Sequence, residues 1–371
     1  MKSIKRITTL LLAILFAAAL LAGCAQSGPA EGTPPAATTS QPSASSEPSA
    51  SAPAQRTVTD MAGRTVTLPA EIKKIGTFGS IGVLNAFVET MGAGDLICNE
   101  GSPSFVKSPS WTKYQYLFTP QIKDLTPFQG ADSELLMENI LAAKPDLCLT
   151  MDSSLTQQLE KQGLTVIQLS WTKTEDVKQC ITLLGDILNK QDVAADYLKY
   201  FDDMMAKAAD LTKNIKQEDK KTVVYGTPSQ FAQPHLIAEW WIDKAGGISV
   251  TATARKDSTT ESLTYTLEDL LKWNPQYMFV STSSEKDAVL KDARLAGITA
   301  VKNGAIYIVP RIAHVWGNRT TEQPLTILWA INKLYPDLVP DEELAKDISY
   351  FYSHFFKYDF TDDQIKEIMG K

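Results

Sequence analysis

The stretch Arg311-Ile312-Ala313-His314-Val315-Trp316-Gly317-Asn318-Arg319-Thr320-Thr321-Glu322 sets an imidazole, an indole and a guanidinium close together. Such groups can ligate a metal, stack on a flat ring and pair with an anion. The same half of the chain adds His235, at the end of Gln233-Pro234-His235, and Arg255, in the polar loop 253–264. The first half offers Trp111, Tyr114, Tyr116 and Trp171 as aromatic faces, and the Ser80 hydroxyl beside glycines that can expose backbone N–H donors. Ser80, Tyr116, Trp171, His235, Arg255, His314, Trp316 and Arg319 are therefore the expected ligand contacts, with His314 and His235 as candidate metal ligands. Each has a plainer alternative: the aromatics as packing, the histidines as partners of backbone carbonyls, Arg319 as an ion-pair partner of Glu322. The third histidine, His354, lies in the aromatic stretch 350–358 and reads as structural.

Nothing in the sequence reads as catalytic. No G-x-S-x-G elbow, G-x-x-x-x-G-K-[ST] loop, H-E-x-x-H helix or G-x-G-x-x-G turn occurs, and Gly76-Thr77-Phe78-Gly79-Ser80-Ile81-Gly82 has the wrong spacing for a dinucleotide. Neither an enzyme nor a resident cofactor is expected.

The elements that position these residues follow an α/β alternation. Residues 56–69 alternate as a hairpin around Asp60-Met61-Ala62-Gly63. Strand-like runs at 74–78, 95–98, 146–150 and 165–169 then alternate with helical stretches at 81–91 and 133–143. A long stretch, 192–214, carries Val193, Tyr197, Tyr200, Phe201 and Met204 on one helical face, and strands resume at 221–226, 276–281 and 305–309. In open sheets of this kind ligands sit beyond the carboxyl ends of the strands, which selects the loops just named. The two halves share a detail. Glu138 is followed after six residues by Pro145 and then a strand, and Glu268 by Pro275 and then a strand. Proline ends each helix, and each glutamate falls near a helix start where the dipole favours a carboxylate.

The chain has 371 residues, 44% apolar, so it can bury a core in two domains or one lobed body at roughly 150 residues per domain. A net charge of −7 gives no global pull toward nucleic acid. Lys2, Lys5 and Arg6 precede an apolar run that ends at Ala22-Gly23-Cys24, which reads as a secretory signal over residues 1–23. Residues 25–55 contain only Ala, Gln, Ser, Gly, Pro, Glu and Thr and read as a flexible tether. Cys98, Cys148 and Cys180 read as free thiols, with a Cys98–Cys148 bridge conceivable if their strands are neighbours.

Leu21-Ala22-Gly23-Cys24 resembles the lipobox of bacterial lipoproteins, which implies lipidation at Cys24. The body after Gln55 resembles the class III substrate-binding lipoproteins of ABC importers, the family that serves iron-siderophore, haem, cobalamin and some metal or oxyanion uptake. The resemblance rests on the hairpin from Asp60 to Pro69, on Thr90-Met91-Gly92-Ala93-Gly94-Asp95-Leu96-Ile97 and on Ala245-Gly246-Gly247-Ile248-Ser249-Val250. It implies two α/β lobes, 56–191 and 218–371, joined by a single long helix within 192–217, with the ligand in the cleft between them. It also implies that Glu138 and Glu268 dock onto arginines of a permease dimer that works with its ATPase. The expected protein is a monomer held at the cell membrane by its lipid, on the extracytoplasmic face. It captures a metal chelate, a ferric siderophore first and haem or cobalamin next. A bare transition metal or a molybdate-like oxyanion is the alternative, and a surface sensor or an unrecognised hydrolase are the readings of a different class.

Overall fold

The structure is a computed structural model and describes residues 56–170, 173, 175–255 and 260–371. The leader, Cys24, the tether and Trp171 lie outside the described residues.

Asp60 organises the entry to the fold. It is 4% exposed, and its Oδ1 accepts from the N–H groups of Ala62 (3.1 Å) and Arg64 (2.9 Å), while Oδ2 accepts from Gln168 N–H (3.0 Å). This closes the turn of the expected hairpin, in which β1 (Arg56–Thr59) pairs antiparallel with β2 (Thr65–Leu68). Gly63, with φ +77°, supplies the left-handed residue that the turn needs.

β3 (Ile75–Phe78), β4 (Leu147–Thr150) and β5 (Val166–Gln168) form a parallel sheet in that spatial order. β3 and β4 are buried at every position, as parallel strands covered on both faces must be. Among the described residues only Ile97 extends the sheet, through a parallel bridge to Ile75. The strand expected at 95–98 is instead a 3₁₀ turn, Gly94–Leu96, that leads into this single pairing. Further along come β6 (Lys221–Gly226), β7 (Ala232–Gln233), β8 (Gly247–Ser249), β9 (Leu263–Thr264), β10 (Tyr277–Val280) and β11 (Ile306–Ile308). Four of them make a second parallel sheet in the order β8-β6-β10-β11, and β7 pairs with β9 in a small antiparallel ribbon. Counting Ile97 as a strand, both sheets have the order second-first-third-fourth, so each has its topological switch point between the first and third strands.

The repeated proline motif explains part of this match. The Met137–Ala143 and Leu267–Trp273 helices each end on a left-handed residue, Lys144 (φ 52°) and Asn274 (φ 43°), immediately before the proline. The next residue then caps the neighbouring strand. Asp146 Oδ2 accepts from Lys73 and Lys74 N–H (2.8 and 2.9 Å), and Gln276 Oε1 accepts from Thr222 N–H (3.0 Å). The first of these helices is shorter than the expected 133–143. Ser133 adopts φ 66° and Leu135 pairs with Gln129, so the chain enters the helix only at Met137.

The long helix runs Gln191–Thr212, about 33 Å, and packs against the Glu175–Leu188, Ile237–Lys244 and Gln323–Leu334 helices. One hydrophobic cluster includes Ile75, Leu147 and Ile167 of the first sheet together with Val223, Tyr225 and Phe279 of the second. Buried polar bonds cross between the halves as well: Gln115 Nε2 donates to Ala313 O (3.1 Å), Thr90 Oγ1 to Thr321 Oγ1 (2.8 Å) and Tyr197 OH to Thr321 O (2.7 Å). The aromatic stretch after the Asp341–Phe351 helix is a π-turn, Tyr352–Phe356, and Tyr352 stacks on Phe118 of the first half (5.5 Å, 10°). Cys98, Cys148 and Cys180 are free, so the conceivable Cys98–Cys148 bridge is not made. No described helix is long and apolar enough to cross a membrane.

Glu89 lies in this inter-half core. Burial pushes its carboxyl up to about 8, against the bond from Thr119 Oγ1 (2.6 Å), and the nearby Glu322 pushes it the same way. A raised folded-state pKa stabilises the fold below the unfolded value, near 4.5, and that contribution is lost as pH rises through about 8. Glu89→Gln is expected to match the wild type at pH 4.5 and to melt at least about 3 °C higher at pH 9, read by thermal unfolding at both pH values. Equal melting temperatures at pH 9 would refute a proton-bearing Glu89.

Candidate ligand-binding site

β3 ends at Phe78, and the chain turns through Gly79 (φ 79°) and Ser80 into the Ile81–Thr90 helix. Gly79 N–H donates to Gln129 Oε1 (2.6 Å) and Ile81 N–H to Gly79 O (2.8 Å). Gly79, Ser80, Ile81, Gly82 and Val83 then line one wall of a cavity of about 920 Å³. A helix leaves the N–H groups of its first turn without intrahelical acceptors and carries a positive dipole end there, so this wall is suited to an anion. A Cβ on Gly82 would lie 2.8 Å from the Trp111 ring, so glycine is what lets that indole lie against the helix start. Phe105 (5.2 Å between ring centroids) and His314 (5.3 Å) flank Trp111, and the Arg311 guanidinium sits 4.6 Å from its centre. Met151, at the end of β4, and Lys173 complete the first half's contribution.

The opposite wall comes from the second half: His235, Leu236, Glu261, His314, Asn318 and Arg319. Its shape is set by Glu322, which is wholly buried. Oε1 accepts from Ala313 N–H and Trp316 Nε1 (both 3.0 Å) and from Tyr352 OH; Oε2 accepts from His314 N–H (2.8 Å) and Thr320 Oγ1 (3.0 Å). Burial pushes this carboxyl up, and the donated bonds pull it back. The loop 311–322 is thus wrapped around one side chain. Gly317 is required because a Cβ there would fall 2.2 Å from Tyr225 OH.

Arg319 is 8% exposed, and both its terminal nitrogens bond Glu261, Nη1 to Oε1 (2.7 Å) and Nη2 to Oε2 (3.0 Å). His235 Nδ1 lies 3.2 Å from the same Oε1. Burial pushes Glu261 up, but Arg319 and His235 outweigh it and hold the carboxyl below its ordinary range. Burial lowers His235, and drives His314 down to about 3, so both rings face the cleft uncharged at neutral pH. Lys173 and Arg319 stand against Glu261, leaving the lining with one excess positive charge. Among the described residues no group of three or more His, Cys, Asp or Glu is arranged to hold a metal ion.

Of the residues expected at the ligand, Ser80, His235, His314 and Arg319 line this cavity. Three described ones do not. Trp316 is fully buried, because its indole N–H is one of the donors to Glu322. Tyr116 donates from its hydroxyl to Glu100 (2.7 Å); five residues beyond Trp111 it lies about 140° round the helix from it. Arg255 is 3% exposed and serves as an anchor, Nε bonding Glu239 (2.6 Å) and Nη1 bonding Thr260 O (2.5 Å). The pairing of Arg319 with Glu322 is likewise replaced by Glu261, since the oxygens of Glu322 are already taken. Sequence reading passed over Glu261, Lys173, Met151 and Phe105. The one available signal was a carboxylate, Glu261, in the same polar loop as Arg255.

Residues 106–313, more than half of the chain, match the family model described as periplasmic binding protein. The chain belongs to that family. This periplasmic binding protein is the solute-binding component of an ABC transporter, and its two-lobed α/β fold is the one expected from the sequence. It is 24% identical over 342 residues to the molybdate-binding protein MolA of Haemophilus influenzae, covering 84% of this chain and 93% of that one. The structure of MolA with molybdate bound superposes with a TM-score of 0.71, at 20% identity over 82% of this chain and 99% of that one. A periplasmic solute-binding protein from Veillonella parvula gives 0.73 at 22% identity (85% and 97%). CeuE from Helicobacter pylori, solved with Ni(II), gives 0.65 at 18% (84% and 99%).

Removing the Glu322 carboxylate orphans its buried donors at once. Glu322→Leu is expected to cost at least about 3 kcal/mol, whereas Tyr352→Phe, which withdraws one donor, costs about 1 kcal/mol, both by urea unfolding. Comparable losses for the two would show that the loop is held by something else.

Proposed function

We infer that this protein captures a small anion outside the cytoplasmic membrane and hands it to a permease, with a metal oxyanion such as molybdate as the first ligand class. One observation carries the reading: the first turn of the Ile81–Thr90 helix and the Arg319 guanidinium line one cavity from opposite halves. That arrangement offers an anion backbone N–H donors on one side and a charged fork on the other. The molybdate bound by MolA supports the same class. An anionic ferric chelate, the ligand first expected from the sequence, is the second reading. It is favoured by the cavity's volume of about 920 Å³ and by the apolar wall of Phe105, Trp111, Met151 and Leu236, which exceed what a four-oxygen ion fills.

The same proposal includes lipid anchorage at Cys24, the tether 25–55, a monomeric body of two lobes divided around the long helix, and docking through Glu138 and Glu268. Support for docking comes from a residue-by-residue match. Positions 137–145 and 267–275 have the same sequence of exposed, half-buried and buried residues. Both glutamates are exposed first-turn acids that make no hydrogen bond or ion pair among the described residues, and one turn on from each stands an exposed leucine, Leu141 (44%) and Leu271 (43%). Two equivalent acidic-apolar patches on one body suit a partner with twofold symmetry, where the second contact gains from the first.

Titration calorimetry with molybdate, tungstate, sulfate and a ferric catecholate, beside an absorption spectrum of protein purified from its own host, tests the ligand class. Saturable binding of an anion is expected, weakened about tenfold or more by Arg319→Ala. A haem spectrum with no anion binding would end the reading. For docking, Glu138→Ala combined with Glu268→Ala is expected to cut uptake by host cells about tenfold while leaving ligand affinity unchanged. Unaltered uptake would favour a sensor that never meets a permease.

A further inference from the structure

We propose that Glu261 is an internal competitor for the anion: its carboxylate occupies the fork of Arg319 in the empty cleft, and a ligand binds by displacing it. The proposal rests on the anion reading above and deepens it, because it sets the charge that a ligand must bring.

The pair is unequal in a telling way. The Arg319 side chain is 8% exposed and belongs to the loop wrapped around Glu322, whereas the Glu261 side chain is 46% exposed. The cation is fixed and the acid reaches solvent. Glu261 engages both terminal nitrogens of Arg319, so the two-pronged fork is occupied while the acid stays, and the buried Nε has no partner. The backbone on either side of Glu261 is pinned. Thr260 O is held by Arg255, which is itself held by Glu239, and β9 begins at Leu263 and pairs with β7. Displacement therefore needs only a side-chain rotation and the loss of bonds to Arg319 and His235, with no refolding of the loop.

The chemistry selects on charge. An entering anion must match the bidentate bonds that Glu261 already makes, and two like charges about 4 Å apart repel by several kcal/mol at the effective dielectric of a protein surface. A univalent anion gains too little from the helix start and Arg319 to displace a carboxylate of equal charge. A dianion or a polyanionic chelate gains more from every one of these groups, Lys173 included. Glu261 thus lowers affinity for all anions and excludes the univalent ones.

Molybdate and perrhenate share a tetrahedral shape and differ by one charge, which makes them the probes. In calorimetry on the full protein, the wild type is expected to bind molybdate and to show no perrhenate binding. Glu261→Gln, which keeps the shape and removes the charge, is expected to tighten molybdate about tenfold or more and to bring perrhenate into the measurable range. Glu261→Ala is expected to do the same and serves if the glutamine variant folds poorly. Gain of affinity is the readout because damage to a structural residue only loses it. Molybdate affinity that is unchanged or weaker in both variants, with the wild type binding, would overturn the role of Glu261 and leave the anion reading standing. If the wild type binds none of molybdate, tungstate and the ferric catecholate, the anion reading fails and the competitor falls with it.

Discussion

A buried carboxylate with no ion-pair partner among the described residues governs the ligand-facing side of this protein. Glu322 needs donors on every side, and the loop 311–322 meets that need by curling its own backbone and side chains inward. Stripping water from such a charge is expensive unless its bonds are replaced in full. The replacement dictates everything nearby: Trp316 is drawn into the core, the His314 ring is left on the cleft wall, and Arg319 is denied the nearest acid and turns toward Glu261. Tyr352 reaches the same carboxylate from the π-turn near the carboxyl terminus, so the last segment of the chain participates in shaping a site that it does not line.

The two halves repeat a topology and diverge in chemistry. Each sheet has the same strand order, and each places a polar residue after its proline to cap the adjacent strand, Asp146 in one and Gln276 in the other. What they bring to the cleft differs. The first half supplies a helix start, an indole and apolar side chains; the second supplies the paired charges and two uncharged imidazoles. The division follows from local geometry, since after β3 a Gly-Ser turn feeds directly into a helix that opens on the cavity.

Much of the scaffold was legible in the sequence, and for identifiable reasons. Alternation around Asp60 to Gly63 marked the hairpin, proline marked the paired helix ends, and the continuous apolar runs marked the buried strands. The strand expected at 95–98 failed because apolar side chains there satisfy the core from a 3₁₀ turn as well as from a strand, and pairing at Ile97 alone is enough. The site was legible only in part. Which aromatic faces the cleft is decided by helical phase and by Gly82, so Trp111 entered the wall and Tyr116 did not. The role of Trp316 depended on a carboxylate whose donors converge only in three dimensions, and Glu261 gained its meaning from a residue 58 positions away.

The shared hydrophobic cluster and the buried bonds from Gln115, Thr90 and Tyr197 hold the two walls of the cleft at one spacing before any solute arrives. The entropy of aligning those walls is spent during folding. Capture then begins from a receptor already in register, so its speed is governed by diffusion into an open mouth and by the turning of a few side chains, with no domain-scale rearrangement standing between encounter and retention.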